Sequence, residues 1–220
     1  MKKKVPIGVL VSGSGSNLQA IIDRIEEGRL DGEIRIVISN NPDAYALTRC
    51  ERHGIPTSIV RNEDFPNREA FDEAMIDILR KRGVELVCMA GFMRILSPGF
   101  LRAFPQRIMN IHPALLPAFP GLHVQQKAID YGVRFSGCTV HFADEGVDTG
   151  PIVIQAVVPV FSGDTADNLA RRILEEEHRI YPQAIQWYAE GRILFQGRQV
   201  VIREHEPLPV PSQINPSLTH

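Results

Sequence analysis

Short apolar runs alternate along this chain with segments whose apolar residues recur every three or four positions. The run Val5–Val11 predicts a buried strand, and the next segment keeps helical spacing until Gly28 ends it. The same cycle returns, with strands predicted at residues 34–38, 57–60, 84–90 and 108–112 and helices at residues 44–53 and 71–83. This alternation predicts an α/β protein with a doubly wound, mostly parallel sheet.

The pattern changes in the last third of the chain. Residues 138–142 and 152–160 predict two strands that pair as neighbours, which gives the sheet a C-terminal antiparallel extension. A long helix is predicted at residues 165–190, interrupted or kinked near Pro182. Residues 205–220 contain four prolines and little periodicity, so we expect a single domain over residues 1–204 followed by an irregular tail.

Composition narrows the class of protein. Of the 220 residues 44% are hydrophobic and 23% are charged, and the formal net charge is −2, which argues against nucleic acid as a partner. The three cysteines are scattered, so neither a disulfide framework nor a zinc site is expected, and a reducing compartment fits best. The first apolar run contains Pro6 and Gly8, and no stretch is long enough to cross a bilayer, so we expect a cytoplasmic protein without a membrane partner.

Two polar side chains stand at the end of the strand predicted at residues 108–112. Asn110 and His112 are two residues apart, so both point to the same face of the strand, and a proline-rich loop follows them. Open α/β sheets bind ligands at the carboxyl ends of their strands. The pair therefore predicts a ligand site, and the alternative is a capped strand end with a solvated histidine.

Three loops carry further candidate chemistry. The sequence SGSGSN at residues 12–17 joins the first strand to the first helix and suits a single phosphate, and the alternative is a simple turn capped by Ser16 or Asn17. In the loop 142–151, Asp148 is either a solvated turn residue or a carboxylate that acts on a histidine. The loop 91–98 places apolar side chains around Arg94, which suits a flat heterocycle or ordinary core packing.

Several long motifs occur together in one order: SGSGSNLQAII, AGFMRILSP, NIHPALLPAFPGLH and the DTGP of residues 148–151. From Val5 to about Arg198 the chain resembles the folate-dependent phosphoribosylglycinamide formyltransferases. The resemblance implies a Rossmann-like formyltransferase fold whose N-terminal half binds phosphate and whose C-terminal half binds folate. It also implies transfer of a formyl group from 10-formyltetrahydrofolate, as co-substrate, to the amine of glycinamide ribonucleotide in purine biosynthesis, without a metal.

The resemblance also assigns catalytic and binding roles to individual residues. It places the catalytic group at Asn110, His112 and Asp148, the glycinamide ribonucleotide contacts at Gly15, Ser16, Asn17 and Glu177, and the folate contacts at Arg68, Met93, Arg94, Ile95, Leu96 and Asn110, with the loop 143–148 beside the pterin. Asp148 is then expected to raise the pKa of His112 above about 6.5. Ala118 stands where many members of the family have lysine, so the consequence of that difference is open.

Two other functions are also consistent with the sequence. A formyltransferase acting on another amine, such as an amino sugar, would use the same three catalytic residues. A folate or nucleotide binding module without activity would not need all three together. We expect small-molecule substrates as partners, and the chain is consistent with a monomer or a homodimer.

Overall fold

Seven strands form one sheet in the computed structural model, which describes residues 4–204, 213 and 215. These strands are β1 (Val5–Val11), β2 (Gly32–Ser39), β3 (Thr57–Ile59), β4 (Leu86–Met89), β5 (Ile108–His112), β6 (Phe135–Phe142) and β7 (Ile152–Pro159). A separate hairpin pairs β8 (Ile193–Gln196) with β9 (Gln199–Ile202). The helices are α1 (Ser16–Glu26), α2 (Tyr45–Arg52), α3 (Arg68–Lys81), α4 (Pro98–Ala103), α5 (Val124–Tyr131) and α6 (Ala166–Ala189).

The strand order of the sheet is β3-β2-β1-β4-β5-β6-β7. The first five strands in this order are parallel, whereas β6 and β7 are antiparallel additions beyond β5. The predicted doubly wound sheet with an antiparallel extension is therefore confirmed. The chain reverses its winding between β1 and β4, and in such sheets the ligand crevice opens outside the carboxyl ends of these two strands.

Both faces of the sheet are covered, because alternate residues of β1 belong to two different cores. Val9 and Val11 are buried in the core beneath α1 and α6, whereas Leu10 is buried in the core beneath α3 and α4. A side chain at Gly8 would begin 2.4 Å from a methyl group of Leu79, so the glycine lets α3 pack directly on the strand. Burial on two faces explains why these strands read as continuous apolar runs.

The long helix α6 anchors the strands that carry the site. The Tyr181 hydroxyl is fully buried between the carbonyl oxygens of Met89 and Met109, at 3.0 and 2.8 Å, and donates its single hydrogen to one of them at a time. Pro182 is also buried, and the helix is continuous across it, so an interruption there is wrong, whereas a kink stays a prediction. Thr165 caps the helix by accepting the N–H of Asn168, which agrees with the predicted start.

Some elements do not follow from the periodicity of the sequence. The helices α4 and α5 have six and eight residues, which is too short for a clear apolar stripe. The hairpin of β8 and β9 does have a sequence signal, since two apolar runs flank the pair Gly197 and Arg198. Most of the predicted tail lies outside the described residues, but Asn215 donates to the carbonyl oxygens of Arg134 and Val160.

Candidate active site

Two neighbouring cavities open at the carboxyl ends of β1, β4 and β5. The first, of about 170 Å³, is lined by residues 12–17 together with Ala90, Gly91 and Met93. The second, of about 80 Å³, is lined by Met89, Arg94, Ile95, Leu96, Leu101, Asn110, His141, Ala143, Asp144, Gly146, Val147 and Asp148. Most of the residues that the sequence singled out therefore meet at the position that the sheet topology predicts.

The backbone that lines the first cavity has the geometry of a candidate anion site. Gly15 precedes α1 in the left-handed conformation, with φ 69° and ψ 29°, and Ser16 begins the helix. A left-handed residue followed by a helical one turns three successive backbone N–H groups inward, here those of Gly15, Ser16 and Asn17. Among the described residues no side chain caps this helix, so the alternative of a turn capped by Ser16 or Asn17 is wrong, and the first N–H groups are available to an anion.

Glu177 reaches the same loop from α6. Asn17 Nδ2 donates to Glu177 Oε2 at 2.7 Å, and both residues are buried. Burial raises the pKa of Glu177, while the hydrogen bond from Asn17 opposes this rise. The Oδ1 atom of Asn17 is buried without a hydrogen-bond partner among the described residues. Glu177 thus supports the loop from behind and does not line the cavity itself.

The catalytic candidates from β5 and the loop after β6 lie side by side. His112 is 4% exposed, and its Nδ1 atom lies 3.3 Å from Asp148 Oδ2. Its Nε2 atom lies 2.9 Å from the carbonyl oxygen of Phe119, which only accepts, so Nε2 carries the hydrogen. Nδ1 can then donate to Asp148 only when the imidazole is protonated. Asn110 and Asp148 line the second cavity, and His112 contacts Asp148 without lining that cavity itself.

A second histidine, His141, completes this group and did not stand out in the sequence. It pairs directly with Asn110 across the antiparallel strands β5 and β6, so the two side chains share a face. Its Nε2 atom is 3.1 Å from Asn110 Nδ2 and 3.7 Å from Asp148 Oδ1. The available signal was its position at the end of the strand predicted at residues 138–142, but its pairing with Asn110 depends on an antiparallel register that the sequence does not specify.

Asp148 is held in an unusual backbone conformation. Its φ is 56°, which is rare for a residue other than glycine and is typical of functional loops. Its Oδ2 atom accepts the N–H of Gly121 at 2.8 Å, which ties this loop to the proline-rich loop after His112. Burial alone would raise the pKa of Asp148, but the contacts with His141, Gly121 and His112 hold it below the ordinary value.

Burial also has the largest effect on the pKa of His112. It lowers the pKa of His112 below the ordinary value, although the Phe119 carbonyl and the Asp148 carboxylate both act to raise it. The sequence-based prediction of a pKa above about 6.5 is therefore wrong for the net shift. The Asp148 carboxylate raises the pKa as expected, but the loss of water around the imidazole lowers it by more.

The predicted folate residues divide between the cavities. Arg94, Ile95 and Leu96 line the second cavity, while Met93 is 64% exposed and lines the first. Arg68 begins α3 next to Glu69 and lines neither cavity. The loop that carries residues 93–96 is fixed by the buried Asp72, whose Oδ2 atom accepts the Ser97 N–H at 2.5 Å.

Comparison with known proteins identifies the family of the chain. Residues 5–185 match the formyl transferase family. The chain belongs to this family. It is 45% identical over 187 residues to phosphoribosylglycinamide formyltransferase of Escherichia coli (strain K12), covering 85% of this chain and 88% of that protein. The glycinamide ribonucleotide transformylase 1 from Symbiobacterium toebii has a similar structure, with a TM-score of 0.90 and 53% identity, covering 92% of this chain and 95% of that chain.

Formyl transferase domains also occur in proteins of other length and activity. The chain is 48% identical over 189 residues to the trifunctional purine biosynthetic protein adenosine-3 of Drosophila pseudoobscura pseudoobscura, covering 85% of this chain but spanning only 14% of that protein. A formyltetrahydrofolate deformylase from Pseudomonas syringae pv. tomato is 27% identical with a TM-score of 0.84, and the match covers 90% of this chain and 66% of that one. Proteins that share this fold thus include a deformylase as well as transferases.

Two further findings concern membrane-spanning helices and metal-binding groups. No helix in the part that the structure describes is long and apolar enough to span a membrane. Within the same residues, no group of three or more His, Cys, Asp or Glu side chains is arranged to hold a metal ion.

Proposed function

We propose that this protein transfers the formyl group of 10-formyltetrahydrofolate to the amine of glycinamide ribonucleotide. The observation that carries the proposal is the adjacency of the two cavities. One offers three converging backbone N–H groups to a phosphate, and the other joins the apolar loop of Arg94–Leu96 to Asn110, His141 and Asp148. The names of the Escherichia coli and Symbiobacterium toebii relatives support the same reaction.

The proposed chemistry is direct attack of the amine on the formyl carbon. A carbon–nitrogen bond forms, the formyl oxygen becomes an oxyanion, and the bond from the formyl carbon to the folate nitrogen then breaks. The amine loses one proton and the folate nitrogen gains one. The amine is itself the nucleophile, so the mechanism needs no activated serine or cysteine from the protein.

Asn110 and His112 are the proposed oxyanion donors. Asn110 already lines the cavity, so its Nδ2 hydrogens can turn from His141 to the oxyanion. His112 would exchange its bond to the Phe119 carbonyl for a stronger one to a charged oxygen. Negative charge beside an imidazole raises its pKa, so His112 would take up the proton that the amine releases, through Asp148, as the intermediate forms.

Asp148 is the proposed proton carrier. It is the one carboxylate in contact with both histidines, at 3.3 Å from His112 and 3.7 Å from His141, among the residues described. Its lowered pKa keeps it ionised at neutral pH, so its carboxylate can receive the proton of the attacking amine and pass it to His112. Return of that proton to the folate nitrogen, directly or through water, would complete the cycle.

Hydrolysis of the same donor is the second candidate function, because a deformylase shares the fold. Hydrolysis uses water as the acceptor and therefore needs no phosphate site. The inward-facing N–H groups of Gly15, Ser16 and Asn17 favour a phosphorylated acceptor, and so favour transfer over hydrolysis.

One assay separates these functions. The protein is mixed with 10-formyltetrahydrofolate, and release of tetrahydrofolate is followed with glycinamide ribonucleotide, with an amino sugar nucleotide, or with no acceptor. A further arm offers formate and ATP in place of the folate donor. The proposal predicts release only with 10-formyltetrahydrofolate and glycinamide ribonucleotide together. Release with formate as product and no acceptor would indicate a deformylase, and turnover from formate and ATP would contradict the folate donor.

The setting of the reaction is also a proposal. The three cysteines, Cys50, Cys88 and Cys138, are buried with free thiols, which supports a reducing compartment such as the cytoplasm. Small molecules are the proposed partners, since the two cavities suit a ribonucleotide and a folate.

A further inference from the structure

The backbone of the phosphate loop is held from behind by α2. The Ala46 N–H donates to the Gly13 carbonyl oxygen at 3.1 Å, and Arg49 Nε donates to the Ser14 carbonyl oxygen at 2.9 Å. A side chain at Gly15 would begin 2.6 Å from the Cβ of Ala46, so α2 packs directly against the loop. Two successive carbonyl groups of the loop are therefore fixed toward one helix.

These two bonds determine where the loop's N–H groups point. In a trans peptide the N–H points away from the C=O of the preceding residue. Because the carbonyl groups of Gly13 and Ser14 face α2, the N–H groups of Ser14 and Gly15 face the opposite side, where the first cavity lies. The Gly15 N–H is the first member of the converging set described above, so the bond from Arg49 orients the anion site directly.

Arg49 is itself held at three points. Its Nη1 atom donates to Gln19 Oε1 on α1 at 3.1 Å, and its guanidinium lies over the Tyr45 ring, 4.9 Å from the centroid. The group thus joins α2, the loop and α1 in a fixed geometry. It also places a permanent positive charge beside the loop, since arginine keeps its proton at any physiological pH.

We propose that Arg49 is a positioning residue for the phosphate of the acceptor. It acts through the Ser14 carbonyl, which it turns away from the cavity so that the Gly15 N–H points into it. This inference rests on the proposed function for the identity of the phosphorylated ligand. A lysine, a point charge on a flexible stem, would not reproduce the contacts with both Ser14 and Gln19.

Binding measurements on Arg49→Met test the proposal without relying on turnover. Calorimetry compares glycinamide ribonucleotide with its dephosphorylated nucleoside, and 10-formyltetrahydrofolate binding serves as an internal control. Arg52→Met is the matched variant, because Arg52 lies on the same helix and over the same Tyr45 ring, at 5.8 Å, but has no contact with the loop among the bonds described. Circular dichroism and the melting temperature of each variant confirm that the fold is intact.

We expect Arg49→Met to weaken the ribonucleotide about tenfold or more, as loss of a charged hydrogen bond does, and to leave the nucleoside and the folate unchanged. Arg52→Met should leave all three affinities unchanged. Equal weakening of ribonucleotide and nucleoside, or no weakening of either, would overturn the proposal. If the protein bound the ribonucleotide through Arg49 yet failed to transfer formyl groups, the proposed function would fail and this inference would stand.

Discussion

His112 is subject to opposing influences at the scale of single side chains. Burial favours the neutral imidazole, whereas Asp148 and the Phe119 carbonyl favour the charged one. Both ring nitrogens face acceptor oxygens, so the geometry suits an imidazolium even though burial disfavours it. Such a residue is neutral at rest and gains a proton readily when negative charge appears nearby.

This balance predicts the effect of replacing Asp148 by Asn. The pKa of His112, already below about 6.5, should fall further, because the carboxylate is one of the groups that raise it. NMR titration of the His112 ring in both proteins measures the shift. An unchanged or higher pKa in the variant would show that the carboxylate does not act on His112.

A second prediction concerns the side chain of Asn110. Asn110→Ala should lower turnover by about two to three powers of ten, as removal of one oxyanion donor does, with little change in the affinity for either substrate. Steady-state rates and equilibrium binding together separate the two effects. If the affinities fell while turnover at saturation stayed constant, Asn110 would be a binding residue and its oxyanion role would be refuted.

The site residues also show where the sequence is informative. Asn110 and His112 follow from strand alternation, because that periodicity belongs to one strand alone. His141 depends on the register between β5 and β6, and the pKa of His112 depends on how completely two loops exclude water. Arg49 acts through a loop that is 35 residues away in the chain. The contact of His141, the pKa of His112 and the contact of Arg49 therefore cannot be predicted from a local sequence pattern.

At the scale of elements, the loop before α1 depends on a glycine. Gly15→Ala should weaken glycinamide ribonucleotide more than folate, because the left-handed backbone is strained for alanine and the new Cβ would overlap Ala46. Gly28→Ala is the matched control, since Gly28 has a similar φ of 70° and open space around it. Calorimetry measures the affinity of each variant for each of the two ligands. Equal loss of both ligands in Gly15→Ala would mean that the loop is a folding element and not a phosphate site.

The conformation of the loop after β4 depends on a hydrogen bond from this loop to α3. Asp72 is 1% exposed and accepts the Ser97 N–H, so Asp72→Ala would leave that buried donor without a partner, at a cost of about 1–3 kcal/mol. We expect weaker folate binding and a lower melting temperature, with the affinity for glycinamide ribonucleotide retained. The exposed Asp77 on the same helix provides the control variant Asp77→Ala. Unchanged folate affinity in Asp72→Ala would contradict the role of Asp72 in this loop.

Most elements could be predicted from the sequence because they are long or fully buried. The strand β1 and the helix α6 agree with their predicted bounds to within one residue, since both have strong periodicity and clear ends. The short helices α4 and α5 take their structure from packing against the rest of the chain, not from their own periodicity. Pro182 lies within α6 because tertiary packing, with Tyr181 buried against two strands, outweighs its local preference.

At the scale of the whole molecule, topology brings the two cavities together. The loop after β1 and the loop after β4 are neighbours because these strands are paired where the winding reverses, and β5, the next strand, adds the proposed oxyanion donors Asn110 and His112. The Ser12 hydroxyl connects the two loops by accepting the Met93 N–H at 2.9 Å. A phosphate at one cavity and a folate at the other would thus place the amine and the formyl carbon between them.

Transfer of an isotopically labelled formyl carbon is the most direct test of this account. The protein is incubated with 10-formyltetrahydrofolate carrying ¹³C in the formyl group and with glycinamide ribonucleotide, and the products are resolved by NMR and mass spectrometry. We predict that the label appears as a formamide on the glycinamide nitrogen, and that His112→Ala slows its appearance. Recovery of the label as free formate at the same rate with and without the ribonucleotide would contradict the proposed transfer.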